Sequence, residues 1–127
     1  MSCIAITTTV GSRDDARRLA RALVERHLAA CAQLEAIESV YAWQGNVEDE
    51  PEVRVVFKTT AARRAAAIAA LAELHPYDVP EIHAVALADV HAPYAEWVAA
   101  WVDAPPAGEA ASEPGADGAA GKPAADA

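Results

Sequence analysis

Seven consecutive residues, His75-Pro76-Tyr77-Asp78-Val79-Pro80-Glu81, set an imidazole, a phenol and two carboxylates around two ring-locked prolines. Imidazole and carboxylate groups bind divalent cations and carry general acid–base chemistry. Each proline holds its own φ at about −65° and pushes the residue before it, His75 or Val79, away from helical geometry. The stretch therefore has to end a helix and run on stiff and extended. His75 is the metal-ligand candidate of this loop; its structural alternative is a ring that closes an apolar helical stripe and caps the last carbonyls. Lys58, at a strand end, is expected near Tyr77 and Glu81, where an ion pair with Glu81 would fix the loop.

Other groups are less convergent. Tyr41, Trp43, Tyr77, Tyr94 and Trp97 either line an apolar cleft or anchor subunits on one another. His27 sits at a helix boundary, and His83 and His91 lie at eight-residue steps from His75, too far apart for a local chelate. Glu48, Asp49, Glu50 and Glu52 lack the Gly-bent order of a calcium loop and read as a solvated turn. No nucleophile stands beside a base, so no catalytic residue is nominated. With only Gly11 and Gly45 in the folded body, there is no phosphate-cradling glycine pattern.

Composition narrows the classes further. The 127 residues carry a formal net charge of −9, so the chain lacks the positive field that phosphate backbones require, and nucleic acid is not an expected partner. No uninterrupted apolar run of about 18 residues occurs and no membrane span is expected. Cys3 and Cys31 form no CxxC and read as reduced thiols, and the N-terminus lacks a basic, apolar leader. A cytoplasmic location is the resulting expectation. Residues 104–127 are Ala-, Pro- and Gly-rich and acidic, with no large apolar side chain, and are expected to form a disordered tail behind a domain at 1–103.

The elements that must position these groups follow from periodicity. Residues 3–9 are β-branched and strand-like. Ser12 then caps a helix whose stripe of Ala16, Leu19, Ala20, Leu23, His27 and Leu28 runs to about Ala29. Residues 34–44 alternate as a strand, Gln44-Gly45-Asn46 supplies a turn, and 53–59 is the strongest strand signal. Thr59 or Thr60 is placed to cap a second helix over 61–74, with Ile68, Leu71, Ala72 and His75 on one stripe. A strand over 82–90 and a helix opened by Pro93 complete the chain.

The order βαββαβ plus a helix is the α+β, ferredoxin-like arrangement: a four-stranded antiparallel sheet with two helices on one side and the other face bare. Each strand of the central hairpin can extend to about 12 residues, roughly twice the usual length, so its outer half projects past the sheet. A projecting ribbon and a bare face call for a closed homo-oligomer. Residue physics leaves dimer and trimer both open.

Several of these segments together resemble the CutA divalent-cation tolerance family. They are Cys31-Ala32, Tyr41-Ala42-Trp43-Gln44-Gly45 with Lys58-Thr59-Thr60, the His75 to Glu81 loop, and Pro93-Tyr94-Ala95-Glu96-Trp97-Val98. The resemblance implies a homotrimer similar to the PII signalling proteins, with clefts between subunits and a link to copper (Cu²⁺) and other divalent cations. It brings no catalytic reaction and no organic cofactor. Of the family's metal ligands only His75 carries over, because Thr8 and Leu74 stand where other members have a cysteine and a second histidine. The expected function is metal tolerance by a non-enzymatic trimer. The alternative is a PII-like signalling or metabolite-binding trimer whose cleft involves Trp43, Lys58, Tyr77, Glu81, Tyr94 and Trp97.

Overall fold

A computed structural model describes residues 2–104. Apart from Ala104, the expected tail lies outside the described residues. The chain forms β1 (Cys3–Val10), α1 (Arg13–Glu25), β2 (Cys31–Trp43), β3 (Asn46–Thr60), a 3₁₀ turn (Ala61–Arg63), α2 (Arg64–Leu74), β4 (Ile82–Ala86) and α3 (Ala92–Asp103). The strands make one antiparallel sheet in the order β2-β3-β1-β4. This is the ferredoxin-like order expected from the sequence.

Alternation along the strands sorts the two faces. Ile4, Ile6 and Val10 of β1 and Val53, Val55 and Phe57 of β3 belong to one core, where they bury against Leu19 and Leu23 of α1 and Ala67 and Leu71 of α2. Ala5, Thr7 and Thr9 share the opposite face with Arg54, Val56 and Lys58. Two helices alone would leave the sheet bare beyond this core, but at one end α3 adds a second cluster, packing Val98 and Val102 against Cys3 and Ala30.

The central hairpin is as long as its sequence suggests. β1 pairs with β3 only from Val53 to Thr60, so the segment from Ile37↔Glu52 out to Trp43↔Asn46 is a two-stranded ribbon with no third strand. Gln44 and Gly45 turn it with φ of 51° and 84°, the left-handed pair that a tight two-residue hairpin loop requires. The turn sets the register that places Ser39 opposite Glu50 and Ile37 opposite Glu52.

β2 begins at Cys31, ahead of the expected residue 34, and three further boundaries differ from the sequence reading. α1 ends at Glu25 rather than Ala29, because His27 takes φ 60° and the chain closes in a Schellman pattern, Leu28 N–H donating to the Leu23 carbonyl at 2.9 Å and His27 N–H to that of Val24 at 3.1 Å. Neither Thr59 nor Thr60 caps α2; both hydroxyls are buried without a partner, and the helix is entered through the 3₁₀ turn instead. β4 stops at Ala86, after which Leu87 N–H bonds Cys3 O at 3.1 Å and the chain turns toward α3.

His27 joins two helices. Its Nδ1 lies 2.7 Å from the Trp101 carbonyl oxygen, its ring stacks on the Trp101 indole at 3.7 Å, and Trp101 Nε1 donates to Val24 O at 2.9 Å. A buried hydrogen bond whose partner is left unsatisfied costs about 1–3 kcal/mol. His27→Ala should therefore lower the urea-unfolding free energy by about that amount. An unchanged midpoint would show that the α1–α3 joint adds nothing to stability.

Candidate functional site

The outer ribbon and the loop from His75 to Glu81 enclose a cleft of about 670 Å³. Its placement begins with His75, which ends α2 in extended geometry (φ −72°, ψ 139°) and is buried. Tyr77 N–H donates to Nδ1 at 3.1 Å, which leaves the proton on Nε2 to be donated to Thr9 O at 2.9 Å. The network thus selects one neutral tautomer, and the ring ties the loop to β1. Burial lowers the pKa of His75, against the opposing effect of the Thr9 bond. Metal ligation by Nδ1 would require release of the Tyr77 amide.

Held there, Tyr77 reaches across to the hairpin. Its hydroxyl donates to Glu52 Oε2 at 2.7 Å, and Ser39 Oγ donates to Glu52 Oε1 at 2.6 Å. A Cβ on Gly11 would come within 3.3 Å of the Tyr77 hydroxyl, so glycine leaves room for this approach. Glu52 is only 8% exposed, and no cationic side chain pairs with it among the described residues. Burial, then the bond to Glu52, raise the Tyr77 pKa far above the ordinary phenol value, so the hydroxyl remains a donor. The Tyr41 phenol, which donates to Glu50 Oε1 at 3.1 Å, is raised as well, by desolvation and then by that bond.

The floor of the loop is built from threonines. Thr8 Oγ1 donates to the Glu81 carbonyl at 2.6 Å and Thr9 Oγ1 to Glu81 Oε1 at 3.4 Å, while Glu81 Oε2 lies 2.8 Å from His83 Nε2. Thr8 is fully buried, and Leu74 packs against the core while its carbonyl accepts from Arg18 at 3.3 Å. Neither side chain supplies a donor to the cleft.

Of the residues nominated from sequence, Trp43, Tyr77 and Glu81 line this one cleft. Lys58, Tyr94 and Trp97 do not, and the metal-ligand candidate His75 lies buried behind the lining. The expected Lys58–Glu81 pair is absent: Lys58 lies opposite Ala5 on β1, whereas Glu81 is anchored by Thr8 and Thr9, about 10 Å or more further along that strand. Lys58 Nζ bonds Gln33 Oε1 at 3.0 Å instead. The Tyr94 hydroxyl sits 3.4 Å from Cys31 Sγ, with its ring 5.8 Å from that of Trp97, at the sheet end that α3 covers. Burial and the Cys31 contact push the Tyr94 phenol up.

Glu52 and Ser39 escaped the sequence reading, which took the acidic run for a solvated turn. The available signal was register. Counting back from a two-residue Gln44-Gly45 loop sets Tyr41, Ser39 and Ile37 opposite Glu48, Glu50 and Glu52, so alternate acids must share the face of Ser39 and Tyr41.

The CutA1 divalent ion tolerance protein family model matches residues 4–101. The chain belongs to the CutA1 family. It is 37% identical over 99 residues to the divalent-cation tolerance protein CutA of Thermococcus kodakarensis, a match spanning 78% of this chain and 95% of that one. To the Thermus thermophilus protein of the same name it is 38% identical over 94 residues, covering 73% and 91%. Among solved structures, the divalent cation tolerance protein from Thermus thermophilus aligns with a TM-score of 0.74 at 36% identity, over 78% of this chain and 97% of that chain. The periplasmic divalent cation tolerance protein CutA from Archaeoglobus fulgidus aligns with a TM-score of 0.77 at 28% identity, over 79% and 98%. Within this CutA1 chain, no three His, Cys, Asp or Glu side chains converge as a metal site among the described residues. No described helix is long and apolar enough to cross a membrane.

The buried imidazole gives the fold a pH signature. The folded His75 pKa is lowered, whereas the unfolded chain titrates near about 6.5, so below that value the unfolded state binds the extra proton. The stability contributed by neutral His75 is complete above the unfolded value and is lost as pH falls toward the folded one. Urea midpoints should drop through this window in the parent and drop less in His75→Gln. Parallel curves would assign the pH dependence to other groups.

Proposed function

We propose that this CutA1 family member is a non-enzymatic, cytoplasmic homotrimer, similar in architecture to PII proteins, that responds to Cu²⁺ or another divalent cation held at clefts between subunits. The observation that carries the reading is the cleft itself: Glu50, Glu52, Asp78 and Glu81 border it and no lysine or arginine does, among the described residues. Hard cations take carboxylate oxygens and borderline ones add imidazole; His75 stands buried behind the cleft lining with both ring nitrogens hydrogen-bonded, so on this reading it joins only when the Tyr77 amide releases Nδ1. Because one chain does not bring three donors together among the described residues, the reading assigns completion of the coordination shell to a neighbouring subunit.

Support for assembly comes from unmet surface. The ribbon has open edges, and Val40, Val47, Val79 and Val85 are exposed around it and on β4. Closed symmetry would cover such edges. Cys3 and Cys31 are free thiols, in keeping with a reducing compartment. A second reading, a PII-like trimer whose cleft takes a small organic ligand, is favoured by the aromatic walls of Tyr41, Trp43 and Tyr77.

Light scattering and calorimetry test the first reading. A trimer at micromolar concentration and saturable Cu²⁺ uptake are expected, with affinity several-fold lower in both His75→Ala and Glu81→Gln. A monomer, or affinity unaltered in both variants, would overturn it.

A further inference from the structure

We propose that the outer face of α1 and α2 is a docking surface for an acidic peptide, and that its occupant is the chain's own segment of residues 105–127. The inference is independent of what the cleft binds.

Charge is segregated in this molecule. Seven of its ten Lys and Arg residues fall within 13–26 and 61–74, although the whole chain carries 19 acids and a net charge of −9. Only Asp14, Asp15, Glu25 and Glu73 oppose them in those two segments. Arg17, Arg18 and Arg21 are engaged in exposed pairs within α1, with Asp14, Asp15 and Glu25. Arg13, Arg26 and Arg64 are exposed and pair with no carboxylate among the described residues. Both helices pack on the sheet face opposite the bare one, so the assembly read above leaves their outer surface open.

The fold delivers the acidic segment to this surface. Just past α1, His27 Nδ1 lies 2.7 Å from the Trp101 carbonyl oxygen, and just before α2, Arg63 Nε and Nη2 donate to the Val102 carbonyl at 2.9 and 2.7 Å. Arg18, in the first half of α1, donates to Leu74 O at the end of α2, so the two helices run antiparallel. The last turn of α3 therefore ends where Arg26, Arg63 and Arg64 gather. The described chain stops beside them, at Ala104. Beyond that point Glu109, Glu113 and Asp117 recur at four-residue steps, the step at which Arg13, Arg17 and Arg21 recur along α1.

Reach and strength both suit such a tether. The residues from Pro105 to Asp117 include two glycines, and a flexible chain of that length spans roughly 20 Å. α1, at 13 residues, is about 20 Å long, so the acids can meet arginines from its near end to its far end. Single exposed ion pairs are weak, but the covalent link holds the acids at an effective concentration of about millimolar. Attraction of this kind is screened by salt.

A Glu-specific protease acting on the full chain at the Glu109–Ala110 bond tests the proposal, with release of residues 110–127 followed by mass spectrometry. At low salt the parent is expected to be cut several-fold more slowly than Arg26→Gln/Arg64→Gln, and the difference should vanish at about 1 M salt, where the screening length is about 3 Å. Arg54→Gln removes a cation from the opposite sheet face and should be cut as the parent is. Glu113→Gln/Asp117→Asn keeps the cleavage site and should also be cut faster, so it decides the matter if the double arginine variant fails to fold. Parental rates in both double variants, or equal acceleration by Arg54→Gln, would overturn the proposal. Protection that grows with protein concentration would overturn it by assigning the surface to a second molecule's segment. Binding of a polyglutamate peptide to the helices with no protection at Glu109 would assign it to a foreign acidic partner and reject the tail.

Discussion

One neutral imidazole holds the loop that makes the cleft. His75 uses its two ring nitrogens on two backbone groups, the Thr9 carbonyl of β1 and the amide of Tyr77. The first bond ties the end of α2 to the sheet, and the second bends the loop so that the Tyr77 hydroxyl meets Glu52. Pro76 and Pro80 restrict the alternatives, and Thr8 seizes the far end of the loop through the Glu81 carbonyl. Removal of the imidazole would leave a buried carbonyl unpaired and the loop with only its outer anchor.

The opposite wall depends on a different constraint. Beyond Val53 the ribbon has no third strand, so its shape comes from the tight Gln44-Gly45 turn and its own cross-strand contacts. The bonds from Ser39 and Tyr77 to Glu52 are therefore joints as well as satisfied acceptors: they connect a ribbon that has no other support on this side to a loop pinned from below. The same geometry concentrates negative charge at the meeting place. The architecture of the cleft and its negative charge share one carboxylate.

The sequence made much of this legible. Alternation and the three- and four-residue stripes marked the elements, and the turn and proline positions marked their ends, because these signals act within a few residues. Errors arose where a tertiary partner took over. His27 continued the helical stripe in pattern yet turned left-handed, because its ring finds Trp101, more than seventy residues away, to stack on and bond. Thr59 and Thr60 looked like caps, but strand pairing with Ile4 and Cys3 claimed them first. Lys58 and Glu81 were assigned to one another by charge, and sheet register separated them.

By itself the sequence determined the order of strands and helices, the long hairpin, the rigid His75 to Glu81 loop and the acidic balance, since each follows from local backbone preference or simple composition. Only the tertiary structure decided which polar groups meet. It buried Glu52 from within an ostensibly solvated run, paired it with Ser39 and Tyr77, and set Lys58, Tyr94 and Trp97 away from the cleft. The physical reason is that hydrogen bonds between side chains distant in sequence depend on strand register, and a one-residue change of register sends every side chain to the other face.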